Sequence, residues 1–259
     1  MTIFNDITLL ITHYNRSKSL EQLLNTFADL DTQFGNIIVS DDASNPQHIN
    51  HVKELQQQFN FELITTPLNK GLGNNINKGQ DAVKTLYTLY IQEDFIPRPK
   101  FIGKLKVAHQ FMQQTPDLDF VRFYAYFKYP FLKEIKGGFS EVIFKSLNIW
   151  EGYRKFYVYS DHPHLRRSNF FERFGRYKEG IKSDQTEYKM MMQVLSKKPK
   201  AYFYENINEL IEQENTSEEP STVKRNFWRN NNSFLVNKLR EVYRYLRFNT
   251  DFLIYKLKG

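Results

Sequence analysis

Leu89-Tyr90-Ile91-Gln92-Glu93-Asp94-Phe95 runs an apolar stretch, suited to a buried strand, straight onto two adjacent carboxylates. Charge at the end of a buried strand is costly unless something compensates it. A strand leaving a hydrophobic parallel sheet sets its last residues at the C-terminal edge, where open α/β sheets collect ligands. A divalent cation carrying a diphosphate would balance Glu93 and Asp94 there. The competing reading is a solvated turn ahead of Pro97, since carboxylates at strand ends are common.

The flanking sequence weighs on this choice. Residues 7–12 are an apolar run suited to a strand buried on both faces, and a helix begins at Ser17 with Leu20, Leu23, Leu24 and Phe27 on one side. Residues 36–40 read as the next strand, 48–59 as a helix, 61–65 as a short strand, 72–84 as a third helix and 86–92 as the strand quoted above. Repeated β-α-β order implies a parallel sheet with right-handed crossovers. Three polar clusters then fall at strand ends: Thr12-His13-Tyr14-Asn15-Arg16, Asp41-Asp42-Ala43-Ser44-Asn45 and Gln92-Glu93-Asp94. Their convergence on one edge favours a shared ligand over three ordinary loops. Residues 69–79 add a Gly-x-Gly turn entering a helix, without the third glycine of a dinucleotide fingerprint and without a Walker motif. Free backbone N–H groups and Lys70 could face a nucleotide there, or the glycines and asparagines could simply close a loop.

Composition bounds the rest. The 259 residues, 41% of them hydrophobic, can bury one substantial core or two small ones. No cysteine is present, which excludes disulfides and thiolate-metal sites and fits a reducing compartment. No run approaches the roughly 18 apolar residues needed to span a bilayer, and the first residues lack a secretory pattern. The expectation is a cytoplasmic protein, at most peripheral on the inner face of the cell membrane. The net charge of +7 resides in residues 222–259, where nine Lys or Arg face only Glu241 and Asp251. Leu235, Leu239, Val242 and Leu246 recur there at helical spacing, with Lys238, Arg240, Arg244 and Arg247 on other faces. Such a basic amphipathic helix suits an anionic membrane surface, or docks on the core with its charges solvated. Nucleic acid is not expected, since no binding motif accompanies the charge.

The second half is less explicit. The aromatic residues of 122–132 suit core packing or stacking on sugar or lipid. Residues 159–164 gather Asp161, His162 and His164, but histidines two apart around a proline match no common metal spacing, so a turn with polar caps is expected. Ser183 or Asp184 can cap a helix running into Met190, Met191 and Met192, with Glu187 at capping-box distance. Residues 206–219 read as an acidic lid or solvated loop.

The segments ITLLITHYNR (7–16), NIIVSDDAS (36–44), NKGLGNNINKG (69–79) and YIQEDFIP (90–97) together resemble, in order and spacing, the donor-binding half of family-2 glycosyltransferases with the GT-A fold. The resemblance implies a single Rossmann-like α/β domain over residues 1–221, with a mostly parallel sheet flanked by helices. Residues 1–100 would bind the nucleotide sugar, 101–221 the acceptor, and 222–259 would form the basic helical tail. It implies Thr12 and Tyr14 beside the base, Asp41 or Asp42 on base or ribose, and Asp94 as ligand of Mg2+ or Mn2+. Arg16, Lys70, Gly71, Asn77, Gln92 and Glu93 complete the donor set. Asp184 would be the general base, with Glu187 in reserve. Three departures stand out: Gln92 replaces the first acid of Asp-x-Asp, Ile76 stands where many members have Arg, and no His follows His164. The implied activity is inverting, metal-dependent transfer of a hexosyl or N-acetylhexosaminyl group. The group would pass from a nucleoside-diphosphate sugar, UDP first among donors, to a glycan or lipid-linked saccharide, as in surface polysaccharide synthesis. Rival readings are a glycan- or membrane-binding protein that kept the fold and lost the chemistry, and a nucleotidyltransferase, although His13-Tyr14-Asn15-Arg16 lacks the glycine such an enzyme uses.

Overall fold

The computed structural model describes residues 1–146, 148, 150–214 and 234–258. Its first half alternates as the hydrophobic periods require: β1 (Thr2–His13), α1 (Ser17–Asp29), β2 (Thr32–Asp41), α2 (Pro46–Phe59), β3 (Glu62–Ile64), α3 (Leu72–Asp81) and β4 (Tyr87–Gln92). These four strands pair in parallel in the order β3-β2-β1-β4. Ile7, Leu9, Leu10 and Ile11 are completely buried because both faces of β1 are covered. In register, Thr12 lies level with Ser40 on one side and Gln92 on the other, and His13 with Asp41. The three polar strand ends therefore meet at one edge. The chain leaves β1 toward β2 on one side and reaches β4 on the other, so the crevice of an open sheet opens there.

The second half departs from simple alternation. After β5 (Phe95–Pro97) and α4 (Phe101–Gln114) come β6 (Phe120–Arg122), β7 (Leu132–Lys136), β8 (Phe139–Val142), a 3-10 turn at Gly152–Phe156, β9 (His164–Arg167), α5 (Phe170–Phe174), α6 (Ser183–Ser196), β10 (Ala201–Tyr204), β11 (Ile211–Gln213) and α7 (Phe234–Lys258). The full sheet runs β3-β2-β1-β4-β9-β6-β10-β8-β7, with β9 antiparallel to both β4 and β6. It is mixed, with a parallel core. β9 thus presents its N-terminal end, His164, at the ligand edge, level with Tyr90. Of the expected lid over 206–219, residues 206–210 form a turn and 211–213 form β11, which pairs antiparallel with β5. Residues 215–219 lie outside the described residues, as does the 221/222 boundary.

Apolar side chains cover both faces of the sheet. Leu9, Ile11, Leu89 and Ile91 pack with α1 and α4, while Leu10, Ile38 and Tyr90 pack with Ile76 and the α6 methionines. α7 closes the second layer. Phe248, only 5% exposed, lies 4.9 Å from the Tyr188 ring and 5.7 Å from that of Phe156. Tyr188 donates its hydroxyl to Asp251, and Arg244 Nη1 donates to Tyr153 Oη at 3.1 Å. The basic helix foreseen in the tail is therefore docked on the core by one face. Among the described residues, no helix is long and apolar enough to cross a membrane.

Candidate active site

The first wall of the site comes from β1 and β2. His13 Nδ1 lies 2.8 Å from Asp41 Oδ1, and the Ser44 hydroxyl and backbone N–H both donate to the same carboxylate. Burial pushes the Asp41 carboxyl up, but the bonds from His13 and Ser44 outweigh it and hold the group below its ordinary value. Asp42 accepts the backbone N–H groups of Lys70 and Gly71 at 2.8 and 2.7 Å, one on each oxygen. It thereby pins the glycine turn that enters α3, where Gly71 has φ +84°, a conformation costly for any residue with a Cβ. Lys78 Nζ donates to the Asp41 carbonyl, and burial depresses its amine against the pull of Asp42 and Asp41. A half-buried Tyr14 and the 3.1 Å contact of Thr12 Oγ1 with Tyr90 Oη complete this wall.

The second wall gathers at the end of β4. Arg16 Nη1 lies 3.0 Å from Asp94 Oδ2, and Gln213 Nε2 donates to the same oxygen at 2.9 Å. Arg16 also binds the Glu214 carbonyl at 3.1 Å, so β11 and the first strand end are clamped around Asp94. The other oxygen, Asp94 Oδ1, is buried and has no hydrogen-bond partner among the described residues. Glu93 is buried beside it.

The antiparallel β9 brings in a third wall. Gln92 Nε2 donates to Asp161 Oδ2 at 2.8 Å, and Asp161 shares a hydrogen bond with Glu187 of α6. Two carboxyls make such a bond when one carries the proton, the state that Asp161 reaches as pH falls through about 6. Burial, with Asp94 adding to it, pushes the Asp161 carboxyl up to about 6, against the bonds from Glu187 and Gln92. His162 is half-buried and held neutral, its imidazole pushed down to about 3 by desolvation and by Arg122. Arg122 braces the segment, donating to the carbonyls of Tyr157 and Val158 and to Ser160 Oγ. Asp161, His162 and Glu187 line a cavity of about 200 Å³ whose remaining walls include Tyr126, Phe127, Tyr129 and Tyr157. Larger open clefts lie against α2 and between Arg176 and Tyr255, away from these strand ends.

The family model described as Glycosyl transferase family 2 matches residues 8–180. The chain belongs to glycosyl transferase family 2. Solved structures similar to this family-2 chain have the same GT-A architecture. Staphylococcus aureus TarS 1–349 in complex with UDP-GlcNAc aligns with a TM-score of 0.60 at 17% identity, covering 98% of this chain and 73% of that one. TarS 1–349 alone gives 0.57 at 18%, over 80% of this chain, which spans 59% of TarS 1–349. The mannosyltransferase PcManGT from Pyrobaculum calidifontis, in complex with GDP-Man and Mn2+, gives 0.51 at 12%, over 76% and 53%. No curated protein matches the family-2 chain in sequence.

Within this family-2 site, the residues expected from sequence divide into two groups. Thr12, Tyr14, Arg16, Asp41, Asp42, Lys70, Gly71, Gln92, Glu93 and Asp94 lie on or against the converging strand ends. Asn77 does not present its amide to them: it donates to the Tyr177 carbonyl and to Glu179 and accepts from the Tyr177 N–H. No side-chain cap closes α6, whose N-cap is Lys182, so the expected capping box does not form. Glu187 turns to Asp161 instead, while Asp184 sits exposed on the first turn. Asp161 and His162, expected in a plain turn, line the site, the first buried and the second half-buried. The available signal was the clustering of Asp161, His162 and His164, which does not reveal that β9 is inserted beside β4.

The fit of a divalent cation turns on Asp94. A buried carboxylate oxygen lacking a partner suits a hard cation, whereas no group of three or more potential metal-ligating side chains occurs among the described residues. One protein carboxylate plus donor oxygens is an accepted arrangement for Mg2+, which is bound through few carboxylates together with substrate phosphates.

Proposed function

We propose that this chain is an inverting glycosyltransferase. It would transfer a hexosyl or N-acetylhexosaminyl group from a UDP-sugar to a hydroxyl of a glycan or lipid-linked saccharide, as in surface polysaccharide synthesis. A lipid-linked acceptor fits work at the inner face of the cell membrane. The observation that carries the reading is the junction of two features at one sheet edge: a buried Asp94 with an unpartnered oxygen, and the Asp161–Glu187 carboxyl pair in an aromatic cavity.

The first two strand ends would hold the nucleoside, with Thr12 and Tyr14 beside the base and Asp41 on base or ribose. Asp42 acts by fixing the Lys70–Gly71 turn. Mg2+ or Mn2+, held by Asp94 and the donor diphosphate, would supply positive charge opposite the leaving group. Arg16 and Gln213 hold Asp94 in one orientation. The acceptor sugar stacks on the cavity aromatics with its hydroxyl directed at Glu187 and Asp161. As that oxygen forms its bond to the anomeric carbon, the bond to the diphosphate oxygen breaks on the opposite face, and the hydroxyl proton passes to the carboxyl pair. Base catalysis of this kind contributes roughly 10²–10⁴-fold. Glu187 is preferred to Asp184 because it reaches the cavity and Asp161. Domain limits follow the sequence reading, with 1–221 catalytic and 222–259 the helical extension.

Calorimetry with UDP and Mn2+, followed by a hydrolysis screen across nucleotide sugars, tests the proposal. Metal-dependent nucleotide binding with hydrolysis of one or a few donors is expected; neither would be seen if the chain only binds glycans or membranes.

A further inference from the structure

α7 has a second face that the catalytic reading leaves unused. Leu239, Leu246 and Leu253 recur every seven residues, and Tyr243, Thr250 and Leu257 each follow by four. These positions point away from the docked side: Leu246 is 60% exposed and Leu257 87%, against 5% for Phe248. From Leu239 to Leu257 the ridge runs about 27 Å at 1.5 Å per residue.

A seven-residue repeat of this kind is the seam of a coiled coil, which makes a second copy of the chain the first occupant to weigh. Charge argues against it. The positions bordering the ridge hold Arg240, Arg247 and Lys256 together with Val242, Asn249 and Ile254. None is acidic, so two copies, parallel or antiparallel, would set basic side chains against basic or neutral ones. The two acids of the helix are engaged elsewhere: Glu241 pairs with Lys238, and Asp251 accepts from Tyr188 and pairs with Arg247. Val242 and Ile254, also exposed, widen the stripe beyond a two-helix seam. A broad apolar stripe with a basic border is complementary to lipid, whose acyl boundary takes the leucines and whose phosphates meet Arg240 and Lys256, while Arg247 pairs with Asp251.

We infer that α7 is an interfacial helix that lays its Leu239–Leu257 face on an anionic lipid bilayer while Phe248, Phe252 and Tyr255 hold the domain on its other side. The assignment is independent of the transfer chemistry, because vesicle binding and sugar transfer are read separately.

The test uses the intact protein in flotation with vesicles of phosphatidylcholine alone and of phosphatidylcholine mixed with phosphatidylglycerol. Flotation with the anionic vesicles only, weakening as salt is raised, is expected. Arg240→Gln with Lys256→Gln lowers the partition coefficient about 30-fold, from about fivefold per basic residue near the surface. Leu246→Gln with Leu253→Gln removes flotation and leaves the melting temperature unchanged, since both side chains are exposed. Three results overturn the inference: no flotation of the intact protein; flotation indifferent to the two leucines; or a dimer in solution that the leucine variant converts to monomer.

Discussion

Replacing Asp161 by Asn isolates the proton chemistry of this side chain from its packing. The amide has the shape of the carboxyl: its oxygen can still accept from Gln92 Nε2 and its nitrogen can donate to Glu187, so both contacts persist. Titration is what changes. The buried Asp161 carboxyl is pushed from 3.8 up to about 6, so the folded chain holds this proton more tightly than the unfolded chain does. The associated stability is present in full below about pH 4 and is lost as pH rises through about 6. A shift of about two units corresponds to ~3 kcal/mol, at about 1.4 kcal/mol per unit. Denaturant unfolding measured from about pH 4 to about pH 8 is the assay. The parent chain should lose ~3 kcal/mol relative to Asp161→Asn across that window. Turnover should move the other way. Near pH 7 the variant falls by roughly 10²–10⁴-fold, and the parent's rate drops as the medium is acidified below about 6, where Asp161 takes up its proton. Parallel unfolding profiles together with unchanged turnover would overturn this account of the carboxyl pair.

Asp94→Asn should abolish Mn2+-dependent binding of UDP in calorimetry while the melting temperature holds; metal-dependent binding that survives removes Asp94 from the metal site. Glu187→Gln is expected to lose roughly 10²–10⁴-fold in turnover with Asp184→Asn near the parent rate, and the reverse order would return the base role to Asp184. Phe248→Ala should cost ~3–5 kcal/mol in denaturant unfolding because a buried aromatic ring is removed from the Tyr153, Phe156 and Tyr188 cluster; a loss under about 1 kcal/mol would mean that α7 is not docked as described.

The donor half follows from local sequence patterns. Buried strands, amphipathic helices and turn residues each announce themselves over a few residues, and β-α-β order leaves few sheets to choose from, so the meeting of Thr12, Asp41 and Gln92 is legible in the order of the residues alone. The acceptor side was decided only in three dimensions. Asp161 reaches Gln92 across 69 residues because β9 enters antiparallel between β4 and β6, and strand order of that kind depends on long-range pairing that no local period encodes. Asp184 and Glu187 lie within one turn of the same helix, and the angle at which α6 packs on the sheet selects Glu187 for the cavity. α7 carries two apolar stripes; helical spacing displayed the one through Leu239, Val242 and Leu246, but only contact with the Tyr153, Phe156 and Tyr188 rings shows that the other, through Phe248, is the one buried on the core.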